Sequence, residues 1–277
     1  MSTRHSQFRL KRKLGQALYG DVWLCEDTRR ENHDVVALKE VSLQTAKEAL
    51  MRNPHMDNPW QERQMTRLIQ KLGEHPNILQ FHDEFVKSGS WFVVMEYCNG
   101  GDLFERLQNN AKGRFDEQMA LKYFRQIAEG VSFLHRNEVA HRDLSLENVL
   151  LNDDGCKISD FGLSTDANRR CVERVGKSYY MAPEVVAADE YNPKAADVWS
   201  LGIMLFIMLT GSPLVQSASR QDKAFIALET FGVHKILDVW EMSSSISAST
   251  MDMLASMLHV NPAKRPSVED VLAKCWP

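Results

Sequence analysis

Three side chains with oxygen donors lie close together in the middle of the chain, in two short motifs. Asp143 and Asn148 belong to residues 141–148, which read HRDLSLEN, and Asp160 begins the tripeptide at residues 160–162, twelve positions after the asparagine. A carboxylate can accept the proton of a hydroxyl group, while an amide oxygen and a second carboxylate suit Mg²⁺, which prefers oxygen ligands. This combination indicates phosphoryl transfer, with Asp143 as base and Asn148 and Asp160 as metal ligands.

The same two motifs, H-R-D-L-x-x-x-N followed by D-F-G, are the signature of protein kinases. The chain resembles that family over residues 8–276, and its C-terminal part is most similar to the calmodulin-dependent branch of serine/threonine kinases. The resemblance implies a bilobal α+β fold: a small antiparallel β N-lobe with one main helix at residues 8–95, a hinge at 96–99 and a larger, mostly helical C-lobe at 100–276. It implies ATP and Mg²⁺ as cofactors.

The pattern of hydrophobic residues predicts elements that would position these groups. Residues 8–41 alternate and are rich in Val, Leu and aromatic residues, which indicates three short strands with a turn at residues 15–22 between the first two. Residues 44–72 are helix-like, but the Asn-Pro pairs at 53–54 and 58–59 predict a loop before the main helix. Two further strands are predicted at residues 78–85 and 91–95. Residues 99–102 predict a break before a mostly helical second half.

A glycine-rich turn lets backbone N–H groups close over phosphates, and the family pattern G-x-G-x-x-G-x-V appears here with alanine as its second glycine, at Ala17. If that position needs a positive φ, the methyl group costs about 1–2 kcal/mol; otherwise it costs little. By resemblance, Val22 and Ala37 enclose adenine, Met95 is the gatekeeper, main-chain groups of Glu96 and Cys98 bind adenine, and Asp102 lies near the ribose. The nucleotide set implied by the resemblance is Leu14, Gly15, Gln16, Ala17, Leu18, Tyr19, Gly20, Val22, Ala37, Lys39, Met95, Glu96, Cys98, Asp102 and Leu150.

Lys39 lies in the stretch VALK and by resemblance contacts the α- and β-phosphates, which requires a glutamate partner on the main helix. Glu62 is the obvious carboxylate in that helix. Counting back without gaps from residues 75–78, however, puts Met65 at the usual position. The two positions are three residues apart and lie on one helical face, so both alternatives stay open.

Two residues of the predicted site depart from the family pattern. Ser145 stands where serine/threonine kinases usually carry a lysine that touches the γ-phosphate, and Lys177 stands where they carry a threonine. We hypothesise a reciprocal exchange, in which Ser145 supplies the hydroxyl and Lys177 the ammonium beside Asp143, so that both are catalytic residues. The alternative is two unrelated changes with Lys177 in solvent.

A carboxylate, Glu173, stands where similar kinases carry the phosphorylated threonine of the activation loop. It has about one negative charge against nearly two for phosphate. One interpretation is that Glu173 pairs with Arg142, the anion anchor implied by the resemblance, and orders the loop without an upstream kinase. The other is a solvated glutamate beside neighbouring arginines. The resemblance further implies that Glu184 pairs with Arg265, that Asp197 braces the catalytic loop and that His141 is a core residue.

Composition restricts the remaining function classes. At 277 residues, with 44% hydrophobic and 25% charged residues, the chain has the size of one kinase domain, and its formal charge of −4 argues against a nucleic-acid partner. Five scattered cysteines indicate a reducing compartment, and the apolar run at residues 201–209 is about half of the ~20 residues that a membrane span needs. We therefore expect no membrane partner, no secretory signal and a cytoplasmic location, with the nucleus possible if the basic cluster at residues 9–13 is an import signal instead of a strand. The oligomeric state stays open.

The sequence therefore predicts an ATP- and Mg²⁺-dependent protein kinase acting on serine or threonine. Glu147 and Asp102 match acidic positions that favour basic residues before the target hydroxyl, but Ile207 replaces a further acid, so any basic preference is expected to be partial. The main alternative is a pseudokinase scaffold that binds nucleotide weakly, which Ala17, the open choice at Glu62 and the missing catalytic-loop lysine would favour. A binding module or a metabolic kinase are further alternatives.

Overall fold

The computed structural model describes residues 7–29, 34–52, 58–153 and 155–275. The chain forms two compact units. The first comprises the described part of Met1–His75 together with Leu79–Asn99, and the second comprises Pro76–Ile78 and the described part of Gly100–Pro277. The predicted α+β class is confirmed, because the first unit is built on an antiparallel sheet and the second is mostly helical.

The first unit is a five-stranded antiparallel sheet with strand order β1-β2-β3-β5-β4. Apolar side chains of alternate strand positions, among them Val36, Leu38 and Val94, are almost fully buried on one face. The second helix begins where the Asn58 side chain accepts a hydrogen bond from the Trp60 N–H, and it ends at a glycine with φ 90°. The elements are β1 (Phe8–Ala17), β2 (Gly20–Asp27), β3 (Val35–Ser42), α1 (Leu43–Arg52), α2 (Pro59–Leu72), β4 (Phe81–Lys87) and β5 (Ser90–Glu96).

In this part of the chain two details differ from the sequence predictions, and an alternative left open at Ala17 is decided. The turn predicted at residues 15–22 is only two residues long, because Gly15 pairs with Val22 and Ala17 with Gly20 in the β1–β2 ladder. Ala17 is an ordinary strand residue without a positive φ, so its methyl group costs little. The strand predicted from residue 78 begins at 81, since Ile78 instead forms a parallel bridge with Ile158 in the second unit. The Asn-Pro pair at 53–54 lies outside the described residues.

The second unit consists of helices with two small pairs of strands. The strand pairs are β6 with β9 and β7 with β8, and they flank the two motifs that carry Asp143 and Asp160. The break predicted at residues 99–102 is confirmed, because the Asp102 side chain caps the helix that follows. The elements are α3 (Leu103–Gln108), α4 (Glu117–Arg136), β6 (Val139–Ala140), β7 (Val149–Asn152), β8 (Gly155–Ile158), β9 (Thr165–Asp166), α5 (Pro183–Ala187), α6 (Pro193–Thr210), α7 (Lys223–Val239), α8 (Ala248–Met257) and α9 (Val268–Cys275).

Helix α6 is the centre of the second unit's core. It is 18 residues long and apolar enough to cross a membrane by length and composition, but 78% of it is buried inside the protein. Residues 201–209 are all buried, as expected for a core helix. The same helix carries Asp197, so this core fixes the position of a carboxylate that binds the HRD motif.

The predicted pair of Glu184 with Arg265 is confirmed. The two terminal nitrogens of the guanidinium donate to the Glu184 carboxylate, at 2.6 and 2.8 Å, and the Arg265 side chain is completely buried. Arg265 also donates to the carbonyls of His259 and Ala195 and lies 5.1 Å from the centre of the Trp199 ring. A buried, bidentate pair of this kind is costly to break, because the remaining carboxylate has no replacement partner.

We expect Arg265→Met to lower the free energy of unfolding by about 3–5 kcal/mol, since it leaves Glu184 buried without its partner. Urea unfolding followed by circular dichroism measures this. Arg125→Met is the control: it removes an i,i+4 pair with Glu129 whose side chains are 50% and 38% exposed, and little change is expected. Equal losses in both variants would contradict the structural role of the buried pair.

Candidate active site

Asp197 holds the loop that contains the HRD motif. Its two carboxylate oxygens accept the main-chain N–H groups of His141 and Arg142, at 2.9 and 2.8 Å, and His135 Nε2 lies 2.9 Å away. Burial alone would raise the pKa of Asp197, but the hydrogen bond and charge of His135 outweigh it, and the pKa is lowered. The predicted bracing role of Asp197 is therefore confirmed.

His141 and Asn148 fix the position of Asp143. The Asp143 N–H donates to His141 Nδ1 at 3.2 Å, which leaves Nε2 of that buried ring to donate to the Ser159 carbonyl at 3.0 Å. Asn148 Nδ2 donates to the Asp143 main-chain oxygen and to Oδ2, each at 2.8 Å. Burial raises the pKa of Asp143 above its usual range, although Lys177, His141 and Asn148 oppose the shift. The carboxylate is held in one orientation with an increased tendency to accept a proton.

Lys177 and Ser145 meet beside this carboxylate. Lys177 Nζ donates to Ser145 Oγ at 2.7 Å and lies 3.7 Å from Asp143 Oδ2, and Ser145 is fully buried. Gly176, with φ 97°, permits this approach, because a Cβ there would lie 2.9 Å from the Arg142 carbonyl oxygen. The ammonium is thus placed next to the carboxylate and is not an unattached surface charge.

Asn148 and Asp160 supply the oxygen donors expected of a magnesium site. Asn148 uses its Nδ2 for Asp143, so its amide oxygen is the group left for a cation. Asp160 has φ 61° and accepts the Gly162 N–H at 3.3 Å. In the described ranges, no group of three or more His, Cys, Asp or Glu side chains could hold a metal. One amide and one carboxylate nevertheless fit Mg²⁺, which usually takes few protein ligands and completes its shell with water and phosphate oxygens.

Arg142 and Glu173 connect the loop to the segment before Lys177. Arg142 donates through Nε to the Leu163 carbonyl at 2.8 Å and through a terminal nitrogen to Glu173 Oε2 at 3.1 Å, and Arg169 also binds the Glu173 carboxylate. Burial acts to raise the pKa of Glu173, but main-chain hydrogen bonding and the two arginines lower it. The structure therefore shows Glu173 paired with Arg142 and not simply solvated.

In the first unit, Lys39 pairs with Glu62. Its Nζ donates to Glu62 Oε1, and the two side chains are only 18% and 16% exposed. Glu62 lies in the first turn of α2, which begins at Pro59. Of the two open alternatives the structure selects Glu62 over Met65, because the carboxylate in the first turn of α2 is the one that binds Lys39.

The predicted glycine-rich residues lie in and between β1 and β2, and two of them have structural tasks. Gly20 is needed for close packing, since a Cβ there would lie 2.1 Å from the Glu40 carbonyl oxygen. Tyr19 is buried against Trp91 and Val41, and its carbonyl accepts the Ser42 N–H at 2.8 Å. The remaining members, Leu14, Gly15, Gln16, Ala17, Leu18 and Val22, are half-buried or exposed.

The other predicted nucleotide residues divide between the two units. Ala37 and Met95 are paired neighbours on β3 and β5 and are at least 90% buried. Glu96 uses its N–H for the Gln80 carbonyl, while Cys98 is half-buried in the segment that follows β5. In the second unit, Asp102 and Leu150 form an isolated bridge, and the Asp102 carboxylate accepts the Glu105 N–H at 2.7 Å.

Tyr180 and Tyr191 were missed by the sequence reasoning. The Tyr180 hydroxyl accepts the Leu146 N–H at 3.2 Å and donates to Glu147 at 3.1 Å, while the Tyr191 hydroxyl donates to the Glu173 carbonyl at 2.9 Å. Tyr180 therefore joins its segment to the loop around Asp143, more than thirty residues earlier in the chain. Tyr191 binds the main chain of Glu173, the residue that pairs with Arg142. The only signal in the sequence is the pair of adjacent tyrosines, Tyr179 and Tyr180. Both are too far from Glu147 along the chain for a local pattern to connect them with it.

Comparison with known proteins agrees with this geometry. The sequence model of the protein kinase domain matches residues 8–277. The chain is 35% identical over 273 residues to Calcium-dependent protein kinase 10 of Arabidopsis thaliana, covering 96% of this chain and 47% of that protein. It is 36% identical over 282 residues to Calcium-dependent protein kinase 12 of Oryza sativa subsp. japonica, covering 100% of this chain and 50% of the relative.

A third relative is named as a serine/threonine-protein kinase. Serine/threonine-protein kinase CST20 of Candida albicans is 35% identical over 265 residues, which is 94% of this chain and 20% of that protein. The chain thus spans half or less of the length of these three relatives. The match of the family model over nearly the whole chain shows that this chain belongs to the protein kinase domain family.

Proposed function

We propose that this protein transfers the γ-phosphoryl group of ATP to serine or threonine hydroxyls of protein substrates. The observation that carries the proposal is the arrangement around Asp143: a buried carboxylate with a raised pKa, held by Asn148 and accompanied by the Lys177 ammonium. Asp143 orients the acceptor hydroxyl and takes its proton as the new phosphorus–oxygen bond forms, while the bond between the γ-phosphorus and the bridging oxygen breaks and ADP leaves. The relatives named as serine/threonine kinases support the choice of acceptor.

Lys39, Asn148 and Asp160 would hold the nucleotide and its metal. The Lys39 ammonium, oriented by Glu62, suits phosphate oxygens, and Asn148 and Asp160 offer oxygens to Mg²⁺. Bound Mg²⁺ would neutralise negative charge on the phosphates. The pseudokinase alternative finds no support, because the groups whose loss would abolish transfer are present. Of its three arguments, Ala17 has no positive φ, Glu62 pairs with Lys39, and Lys177 offers an ammonium 3.7 Å from Asp143 Oδ2 in place of the missing lysine.

We propose further that Ser145 and Lys177 exchange the roles that other kinases give to a lysine and a threonine. The exchange is supported by the 2.7 Å hydrogen bond between them and by the 3.7 Å separation of Lys177 Nζ from Asp143 Oδ2. A positive charge at this point stabilises the negative charge that develops during transfer. Ser145 then anchors the ammonium through its hydroxyl.

Substrate selection is proposed to include a partial preference for basic residues before the target hydroxyl. Glu147 is the carboxylate that supports it, and the hydroxyls of Tyr179 and Tyr180 hold that carboxylate in place, at 3.2 and 3.1 Å. Asp102 contributes less, because its carboxylate caps α3.

A cytoplasmic location stays a proposal that rests on composition alone.

The test is transfer of labelled γ-phosphate from Mg·ATP to matched peptides with Ser, Thr or Tyr as the acceptor, with and without preceding arginines. We expect labelled phosphoserine and phosphothreonine, little phosphotyrosine, and complete loss when EDTA removes Mg²⁺. Measurable ATP binding without transfer to any peptide would overturn the proposed activity. Phosphotyrosine as the main product would overturn the acceptor class alone.

Glu173 is proposed to order its segment without phosphorylation. We therefore expect activity of the purified protein to survive phosphatase treatment, and Glu173→Ala to reduce kcat/KM about five-fold, because partly exposed ion pairs contribute about 1 kcal/mol or less. Glu190→Ala, which changes an exposed acid that follows α5, is the control and should change little. Loss of activity after phosphatase treatment would point to a phosphorylated residue such as Ser164, Thr165 or Ser178.

A further inference from the structure

Three donors converge on the carboxylate of Glu84 in β4. Arg63 donates through Nε to Oε2 at 2.6 Å and through a terminal nitrogen to Oε1 at 3.2 Å, Arg67 binds Oε1, and Trp91 Nε1 donates to Oε2 at 2.6 Å. The Glu84 side chain is 11% exposed and Trp91 is completely buried. Burial acts to raise the pKa of Glu84, but these donors lower it, so the group is a carboxylate at neutral pH. We call these four residues the Glu84 cluster.

The Glu84 cluster ties helix α2 to the sheet. Two of its donors, Arg63 and Arg67, are one turn apart on α2, while Trp91 comes from the neighbouring strand β5. A further bond, from Gln70 Nε2 to the His82 carbonyl at 3.3 Å, joins the same helix and strand. The bonds to β4 therefore extend over two turns of α2, from Arg63 to Gln70.

Glu62 is the residue immediately before Arg63, and its carboxylate binds a residue of a different strand, β3. Its partner Lys39 lies on β3, about 100° around the helix from the direction of Arg63. A helix fixed by a single ion pair retains freedom to rotate about its axis, whereas attachment in two directions removes that freedom. The arginines of α2 and Glu84 supply the second direction.

We propose that Glu84 is a positioning residue that sets the rotation of α2, through Arg63 and Arg67, and so presents Glu62 to Lys39. This rests on the proposed function, in which the Lys39–Glu62 pair serves nucleotide binding. Residues of this chain alone then hold α2 in the orientation that pairs Lys39. The competing explanation is purely structural, with Glu84 satisfying the buried Trp91 N–H and the arginines adding little.

Glu84→Gln is the first test, with Asp83→Asn as its matched control. Asp83 is the next residue in the same strand, and its described contacts are to Arg29 at 2.6 Å and to the Glu84 N–H at 2.8 Å. Both changes remove one negative charge that an arginine binds, but only the first involves α2. We expect Glu84→Gln to weaken Mg·ATP binding roughly 3- to 30-fold and Asp83→Asn to change it less than two-fold.

A double-mutant cycle separates positioning from stability. If Glu84 acts through Lys39, Glu84→Gln should have almost no further effect on Mg·ATP affinity in a Lys39→Ala background, since the pair it positions is absent. An undiminished effect in that background would overturn the proposal. If Glu84→Gln does not fold, the double variant Arg63→Met/Arg67→Met takes its place, because it keeps the bond between Glu84 and Trp91.

Hydrogen exchange tests the same inference without nucleotide. Amides of α2 should exchange faster in Glu84→Gln than in Asp83→Asn, while amides of β1 and β2 remain alike in both. Unchanged exchange in α2 would refute the positioning role even if the protein is an active kinase. Faster exchange in a protein that neither binds ATP nor transfers phosphate would support the helix attachment and reject the proposed function.

Discussion

Asp143→Asn is expected to reduce kcat by about 10²- to 10⁴-fold, which is the usual contribution of a positioned general base. The amide has the same shape as the carboxylate, and its oxygen can still accept the bond that Asn148 donates at 2.8 Å. It cannot take a proton from an acceptor hydroxyl. Mg·ATP affinity should therefore change little, so that the loss appears in the transfer step. Single-turnover kinetics with calorimetric titration of Mg·ATP measure both quantities.

Asp166→Asn provides the control for that experiment. Asp166 is an exposed residue of β9 whose carboxylate accepts the Asn168 N–H at 2.8 Å, a bond that asparagine preserves. Both variants should unfold at similar urea concentrations. An Asp143→Asn protein that transfers phosphate at the wild-type rate would show that another group accepts the proton. The raised pKa of Asp143 would then be only a consequence of its burial.

Elements with a strong local signal were predictable from the sequence. Alternation in residues 8–41 predicts three strands, and the apolar run in α6 predicts a buried helix; the structure contains both. The Asn58-Pro59 pair predicts a break before the main helix, and α2 begins at Pro59. Each signal comes from side chains within one element or at its end. Such patterns reflect local energetics and burial of one face, so they can be recognised without knowing the fold.

Features that depend on pairing between elements were harder to predict. The turn between β1 and β2 was placed too broadly because Gly15 and Ala17 belong to a ladder whose register sequence does not specify. Ile78 was assigned to a strand, but its partner is Ile158, eighty residues away. The Glu84 cluster gave no sequence signal, because its members come from α2, β4 and β5 at irregular spacing.

The candidate site shows the same division. Asp143, Asn148 and Asp160 were found because two contiguous motifs carry them, whereas the choice between Glu62 and Met65 needed the position of a helix relative to β3. The exchange of Ser145 and Lys177 is intermediate. The sequence suggests it from two departures in the same family pattern, and the structure adds a 2.7 Å hydrogen bond between the two side chains.

Lys177→Met is expected to lower kcat by about 10²- to 10³-fold, by analogy with the loss of one preorganised donor to a developing oxyanion. Methionine keeps most of the length of the side chain but cannot stabilise charge, and it leaves Ser145 Oγ buried without the ammonium that donates to it. Ser145→Ala should have a smaller effect, because the ammonium remains and loses only its anchor. Arg174→Met, an exposed cation three residues away, is the control for loss of a positive charge in the same segment.

A double variant that places lysine at position 145 and threonine at position 177 tests the exchange most directly. Ser145→Lys alone should be poorly active and unstable, since it adds a second ammonium at a fully buried position next to Lys177. Combined with Lys177→Thr, it recreates the arrangement of other serine/threonine kinases, and we expect kcat to recover to within about ten-fold of wild type while each single variant stays far below it. Non-additivity of this size is typical of residues in direct contact, and kcat of the four proteins measures it. If Lys177→Met retains the full rate with normal ATP binding, or if the double variant is simply the product of its singles, the two residues do not share one catalytic task, and the ammonium beside Asp143 serves the fold alone.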